Sequence, residues 1–240
     1  MPPVSCVFFD AAGTLIRLRE PVGESYARIA AQHGIRVEPQ SVETAFRQAW
    51  KATPPLLHPE DQPPADDDAS WWRALVSQTF ATVTGAPLPD ETLSPLFEEL
   101  YAHFAQPGVW ELYEDTLPAL DQLRDSHRLF VLSNFDRRLF TILEDLDIAS
   151  RFERILVSSE VGASKPHPRI FHQALAAAGV PASECLHLGD DRKCDLKGAQ
   201  QAGMHSRLVD RPGTTLLTLV TELGANTKPT RDDEKENAKK

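Results

Sequence analysis

Apolar residues gather along this chain in two rhythms. Short continuous runs occur in VFFD, which ends on Asp10, in RLFVLSN (Arg128 to Asn134), in RILVSS (Arg154 to Ser159), in CLHLGDD (Cys185 to Asp191) and in SRLVD (Ser206 to Asp210). Each has the length of a buried strand. Between them, LPALDQLRDS, RRLFTILEDLD, PRIFHQALAAAG and RKCDLKGAQQAG carry apolar residues at helical spacing, and Gly179 and Gly203 stand as C-terminal stops. Strands apolar on both faces that alternate with helices predict an α/β fold, a doubly wound parallel sheet covered on either side.

The segment 18–106 breaks this alternation. GESYARIAAQHG, VETAFRQAWKA, SWWRALVSQTFATVTG and ETLSPLFEELYAHFA all have helical spacing, and a Pro- and Asp-rich loop joins the second to the third. The expected organisation is an α/β core from 1–17 and 107–226, a small helical cap from 18–106, and a disordered, densely charged tail from 227–240. Trp71 and Trp72 are expected to pack inside the cap.

Parallel sheets gather ligands where the loops diverge at the carboxyl ends of their strands. Polar residues stand at those places. Asp10 closes the first run, Ser133 and Asn134 the second, Asp190 and Asp191 follow the fourth across Gly189, and Lys165 lies in the loop after the third.

Charge narrows the partners. With 25 basic and 35 acidic residues the formal charge is −10, which argues against nucleic-acid backbone binding but permits a local site for a small anion. No run of about 18 uncharged apolar residues supports a membrane span, and MPPVSCVFFD lacks a basic leader. Three cysteines, Cys6, Cys185 and Cys194, form an odd set without metal-type pairing, as expected of a cytoplasmic protein. The chain says nothing of oligomeric state.

Taken in order, DxxGT at Asp10 to Thr14, SN at Ser133 and Asn134, KP at Lys165 and Pro166, and GDxxxxD at Gly189 to Asp195 resemble the four motifs of the haloacid dehalogenase superfamily. The resemblance runs from about residue 4 to 224, and the paired tryptophans look like the rhythmically expressed protein 2-like branch. It implies a core with a cap inserted after the first strand, and Mg²⁺-dependent phosphoryl transfer from a small phosphorylated substrate through an aspartyl phosphate. On that pattern Asp10 is the nucleophile and Lys165 the positive charge serving nucleophile and phosphate, with Pro166 stiffening its loop. Gly13 allows the tight turn, while Thr14, Ser133 and the backbone N–H of Asn134 cradle the phosphoryl group. Asp10, the carbonyl of Ala12 and Asp190 hold the metal, Asp191 adds a direct or water-mediated contact, and Asp195 supports the set from behind.

One position departs from the pattern. Phosphatases of the family carry at position 12 a second aspartate, which protonates the leaving alcohol and later deprotonates water. Alanine does neither. General acid and base catalysis is worth about 10²- to 10⁴-fold in rate, so turnover is expected to be reduced, or restricted to leaving groups that need little protonation. Alternatives stay open. A phospho-ligand binding or scaffolding protein would need no turnover, and haloacid dehalogenation needs neither the missing acid nor a metal. A phosphonoacetaldehyde hydrolase-like enzyme would also carry alanine here but would need a cap lysine, for which Lys51 is the one available. His58 and Asp66 to Asp68 of the cap loop either reach the site as substitutes or are solvated, and His187 is read as a satisfied core histidine.

Overall fold

The computed structural model describes residues 4–59 and 66–227. The tail from residue 228 and the middle of the Pro- and Asp-rich cap loop lie outside the described residues. The first apolar run forms β1 (Cys6–Phe9), with all four side chains buried. A tight turn leads into β2 (Ile16–Leu18) and then to four helices, α1 (Val22–Gln32), α2 (Pro39–Ala52), α3 (Ala69–Thr84) and α4 (Asp90–His103). The chain returns through β3 (Trp110–Leu112) and α5 (Thr116–Leu123) to β4 (Arg128–Ser133) and α6 (Arg138–Asp145). Next come β5 (Arg154–Val157), α7 (Ser158–Val161), α8 (Pro168–Ala178) and β6 (Cys185–Gly189). A wide helical turn, Arg192–Lys197, opens into α9 (Gly198–Gln201), followed by β7 (His205–Leu208) and α10 (Leu216–Thr227).

Five strands pair in parallel in the order β5-β4-β1-β6-β7. Alternation along them supplies two cores. Val7, Phe9, Val131 and Leu188 face one side, packing with Leu120, Leu143 and Leu216. Cys6, Phe8, Phe130 and Leu132 face the other, against Ile170, Phe171 and Ala174 of α8. Phe8 and Phe130 stack with ring centroids 4.7 Å apart, and burying each contributes about 2 to 3 kcal/mol. A third core, with Tyr26, Ile29, Val76, Phe80 and Leu96, sits among α1 to α4, as their amphipathic spacing requires.

Three features differ from the sequence expectation. β2 and β3 pair antiparallel, Ile16 opposite Leu112, and this ribbon ties together the two chain segments that flank the four helices. Three-residue strands show too little alternation to be recognised. The run RILVSS leaves the sheet at Val157, and its serines begin α7. Trp72, only partly buried, does not stay within the helical core: its indole N–H donates to Asp136 Oδ2 at 2.9 Å, just beyond β4. Trp71 instead donates to the carbonyl of Pro54 and meets Trp50 and Trp72 edge-on.

The described ends of the Pro- and Asp-rich loop bond to the α/β core. Ser164 N donates to Leu56 O at 3.1 Å and His58 N to Gly162 O at 2.9 Å, immediately before Lys165. Asp67 accepts from Arg137 N at 3.0 Å and Ser159 Oγ at 2.8 Å. His58 faces Asp68 at 3.4 Å, and Asp66 accepts from Ser70 N at the start of α3. Asp67 is engaged with the core, His58 with Asp68 and the exposed Asp66 with α3, so the substitute-acid reading of His58 and Asp66 to Asp68 finds no support in their contacts.

Candidate active site

Four strand-end segments build the site. Asp10 N still donates to Leu188 O at 2.9 Å, so the last sheet bond fixes where the carboxylate leaves β1. The chain then folds back sharply, with Gly13 N on Ile16 O and Leu15 N on Ala11 O. Gly13 has φ of +87°, and a Cβ there would run into the carboxylate of Asp190. Both the backbone conformation and the close approach of β6 therefore demand glycine.

Asp10 Oδ1 accepts from Ser133 Oγ at 2.9 Å and from Lys165 Nζ at 2.7 Å. Lys165 is only 2% exposed, and its ammonium donates all three protons: to Asp10 Oδ1, to Asp195 Oδ1 at 2.6 Å and to the carbonyl of Leu132 at 2.8 Å. The side chain of Asn134 clamps the lysine's backbone at both ends, Nδ2 donating to Lys165 O and Oδ1 accepting from Lys165 N. Asp195 is held from behind as well, accepting from Asp191 N on Oδ2 and facing His187 Nε2 at 2.9 Å through Oδ1. A Cβ on Gly189 would collide with Asp195, so that glycine too is dictated by the carboxylate packed against it.

One ligand atom each of Asp10, Asp190 and Asp195 lies within 4.8 Å of the others. Asp10 and Asp195 are buried, whereas solvent reaches Asp190. Three carboxylates thus face one ammonium. Burial, then the charges of Asp10 and Asp195, push Asp190 up to about 7. Burial also raises Asp10, against the opposing charge of Lys165. Burial alone would lower Lys165, yet the two aspartates outweigh it and hold the ammonium above the ordinary lysine range. Burial opposes ionisation of Asp195 too, but Lys165 and His187 prevail and keep it below the usual carboxylate range.

The remaining sequence candidates divide. Thr14 is buried at the turn with its Oγ1 lacking a partner among the described residues, while its carbonyl accepts from Arg211 Nη2 at 2.9 Å. Ala12 is partly buried in the same turn and has no side-chain proton to give. Asp191 stands apart from the three-carboxylate cluster: its Oδ1 accepts from Lys193 N at 2.7 Å and Cys194 N at 2.6 Å, capping the helical turn that follows. Ser133 spends its hydroxyl proton on Asp10, and the Asn134 side chain positions the lysine loop. Lys51 is exposed, lining a surface groove with Pro21, Glu43 and Arg47. Sequence reasoning missed His187 as a neighbour of Asp195; its one visible signal was a polar ring inside an otherwise apolar strand.

Replacing Lys165 by methionine removes the only ammonium between two buried carboxylates. Breaking a buried ion pair from one side costs about 3 to 5 kcal/mol. The substitution is expected to lower urea-unfolding stability by that order at neutral pH. Unchanged stability would mean that another charge balances Asp10 and Asp195.

Residues 4–203 match the family described as haloacid dehalogenase-like hydrolase. The chain is 40% identical over 203 residues to haloacid dehalogenase-like hydrolase domain-containing protein 3 of Mus musculus, covering 84% of this chain and 80% of that one. It is 32% identical to the Rhythmically expressed gene 2 protein of Drosophila melanogaster, over 85% of this chain and 82% of that one. In fold it is similar to the HAD-hydrolase YfnB of Bacillus subtilis, solved bound to magnesium, with a TM-score of 0.68 and 18% identity over 92% of this chain and 99% of the other. The chain belongs to the haloacid dehalogenase-like hydrolases.

Proposed function

We propose that this hydrolase transfers the phosphoryl group of a small phosphorylated metabolite to Asp10 and then to water, with turnover favouring good leaving groups. The observation that carries the reading is the buried Lys165 ammonium, 2.7 Å from Asp10 Oδ1 and set beside a three-carboxylate cluster. An all-oxygen, net-negative donor set suits a hard divalent cation such as Mg²⁺. Asp10, Asp190 and the Ala12 carbonyl would hold it, with Asp195 supporting them. When bound, the ion would neutralise charge on the nucleophile and on the phosphoryl oxygens.

The chain's own groups do the rest. Lys165 and Ser133 both bond Oδ1 of Asp10, which leaves Oδ2, without a hydrogen-bond partner among the described residues, as the attacking oxygen. Oδ2 forms a bond to phosphorus as the bond to the leaving oxygen breaks, and the leaving group departs with the electron pair. Water then attacks phosphorus, the bond to Asp10 breaks, and inorganic phosphate and the free carboxylate return. Lys165 keeps its proton throughout and offsets repulsion between the carboxylate and the phosphate.

Ala12 cannot protonate a leaving alcohol. Aryl phosphates, acyl phosphates and phosphoanhydrides therefore fit better than alkyl phosphates. Ala12 also favours a second reading, a phospho-ligand binding protein that retains the site without useful turnover. Hydrolysis of an aryl phosphate, measured with Mg²⁺ and again after chelation, separates the two. Metal-dependent release of phosphate is expected; tight phosphate binding without release would favour the second reading.

A further inference from the structure

His187 lies in β6 with no exposed surface, in a cross-strand row with Phe8 and Ser206 at matching register, and the ring of Phe171 packs edge-on against it at 6.0 Å. This is an aromatic slot. A phenylalanine would satisfy its packing, yet the imidazole carries a buried Nδ1 with no partner among the described residues. Leaving such a group unsatisfied in the interior is unfavourable. Its other nitrogen, Nε2, is 2.9 Å from Asp195 Oδ1, the same oxygen that accepts from Lys165 Nζ at 2.6 Å. Because a carboxylate only accepts, Nε2 is the donor in this contact.

We propose that His187 is a positioning residue for the reaction: by fixing Asp195 it holds the Lys165 ammonium on Asp10 and shapes the metal-binding cluster. The surroundings of Asp195 support this assignment. Gly189 leaves room for the carboxylate, Asp191 N anchors Oδ2, and Oδ1 receives Lys165 and His187 together. Without the imidazole donor, Oδ1 loses one of the contacts that oppose its rotation away from the lysine. The catalytic part of the inference rests on the phosphoryl-transfer reading; the effect on the cluster does not.

Two variants decide it. His187→Phe keeps the aromatic packing and removes the donor, while His187→Gln places an amide N–H near the position of Nε2. Groups that orient a metal site's ligands typically change metal affinity or activity by about 10- to 100-fold when lost. The Phe variant is expected to bind Mg²⁺ about tenfold more weakly by calorimetry, with kcat for an aryl phosphate reduced about as much at little change in KM, and with an unchanged or higher Tm. The Gln variant is expected to recover most of both losses. Wild-type Mg²⁺ affinity in the Phe variant, or equal impairment of both variants, would overturn the proposal. A wild type that binds Mg²⁺ but turns nothing over would overturn the phosphoryl-transfer reading alone, leaving the calorimetric comparison to decide the role of His187.

Discussion

Asp10→Asn is expected to abolish metal-dependent phosphate release, by about 10³-fold or more, while the protein stays folded. The asparagine amide oxygen can still accept from Ser133 and Lys165, so the contacts of Oδ1 survive. What disappears is the anionic oxygen proposed to attack phosphorus. Because Asp10 is buried and burial disfavours its charge, the neutral side chain carries little folding penalty. Matching unfolding curves with loss of turnover would therefore report chemistry rather than collapse. Full metal-dependent turnover in this variant would remove Asp10 from the nucleophile's role.

Ala12→Asp is expected to act in the opposite direction, and selectively. The new carboxyl group stands two residues beyond Asp10 in a turn fixed by Gly13 and Leu15, where a partly buried methyl group now sits. A positioned acid and base is worth about 10²- to 10⁴-fold, so kcat on an alkyl phosphate should rise within that range. An aryl phosphate, whose leaving group departs without a proton, should gain less than about tenfold. The comparison is the measurement. Equal gains on both substrates, or none on either, would show that leaving-group protonation does not limit this enzyme. A fourth carboxylate also deepens the negative charge around the cluster, so the variant should need Mg²⁺ at least as strictly as the parent.

Much of this architecture was legible because its strands are short, apolar on both faces and separated by helices with clear spacing. VFFD, RLFVLSN and CLHLGDD had to pair as central parallel strands, and their polar ends had to meet on one edge. Asp10, Ser133, Lys165, Asp190 and Asp195 do meet there. What sequence could not resolve was the use of neighbouring polar groups. Asp190 and Asp191 are adjacent acids, and only the backbone turn shows that one joins the carboxylate cluster while the other caps a helical turn. Asn134 reads as part of a phosphate loop, yet its amide grips the lysine's backbone from 31 positions away. Trp72 has the spacing of a core residue, but its indole reaches a buried aspartate across the seam. Such long-range choices depend on which surfaces meet, and local periodicity carries no record of them.

The covalent step is the most direct test of the account. Rapid acid quenching during turnover of an aryl phosphate, followed by borohydride reduction, converts an aspartyl phosphate to homoserine at that position. Homoserine at position 10, formed only with substrate and Mg²⁺, is the expected result. Steady phosphate release with Asp10 unmodified at every quench time would contradict it.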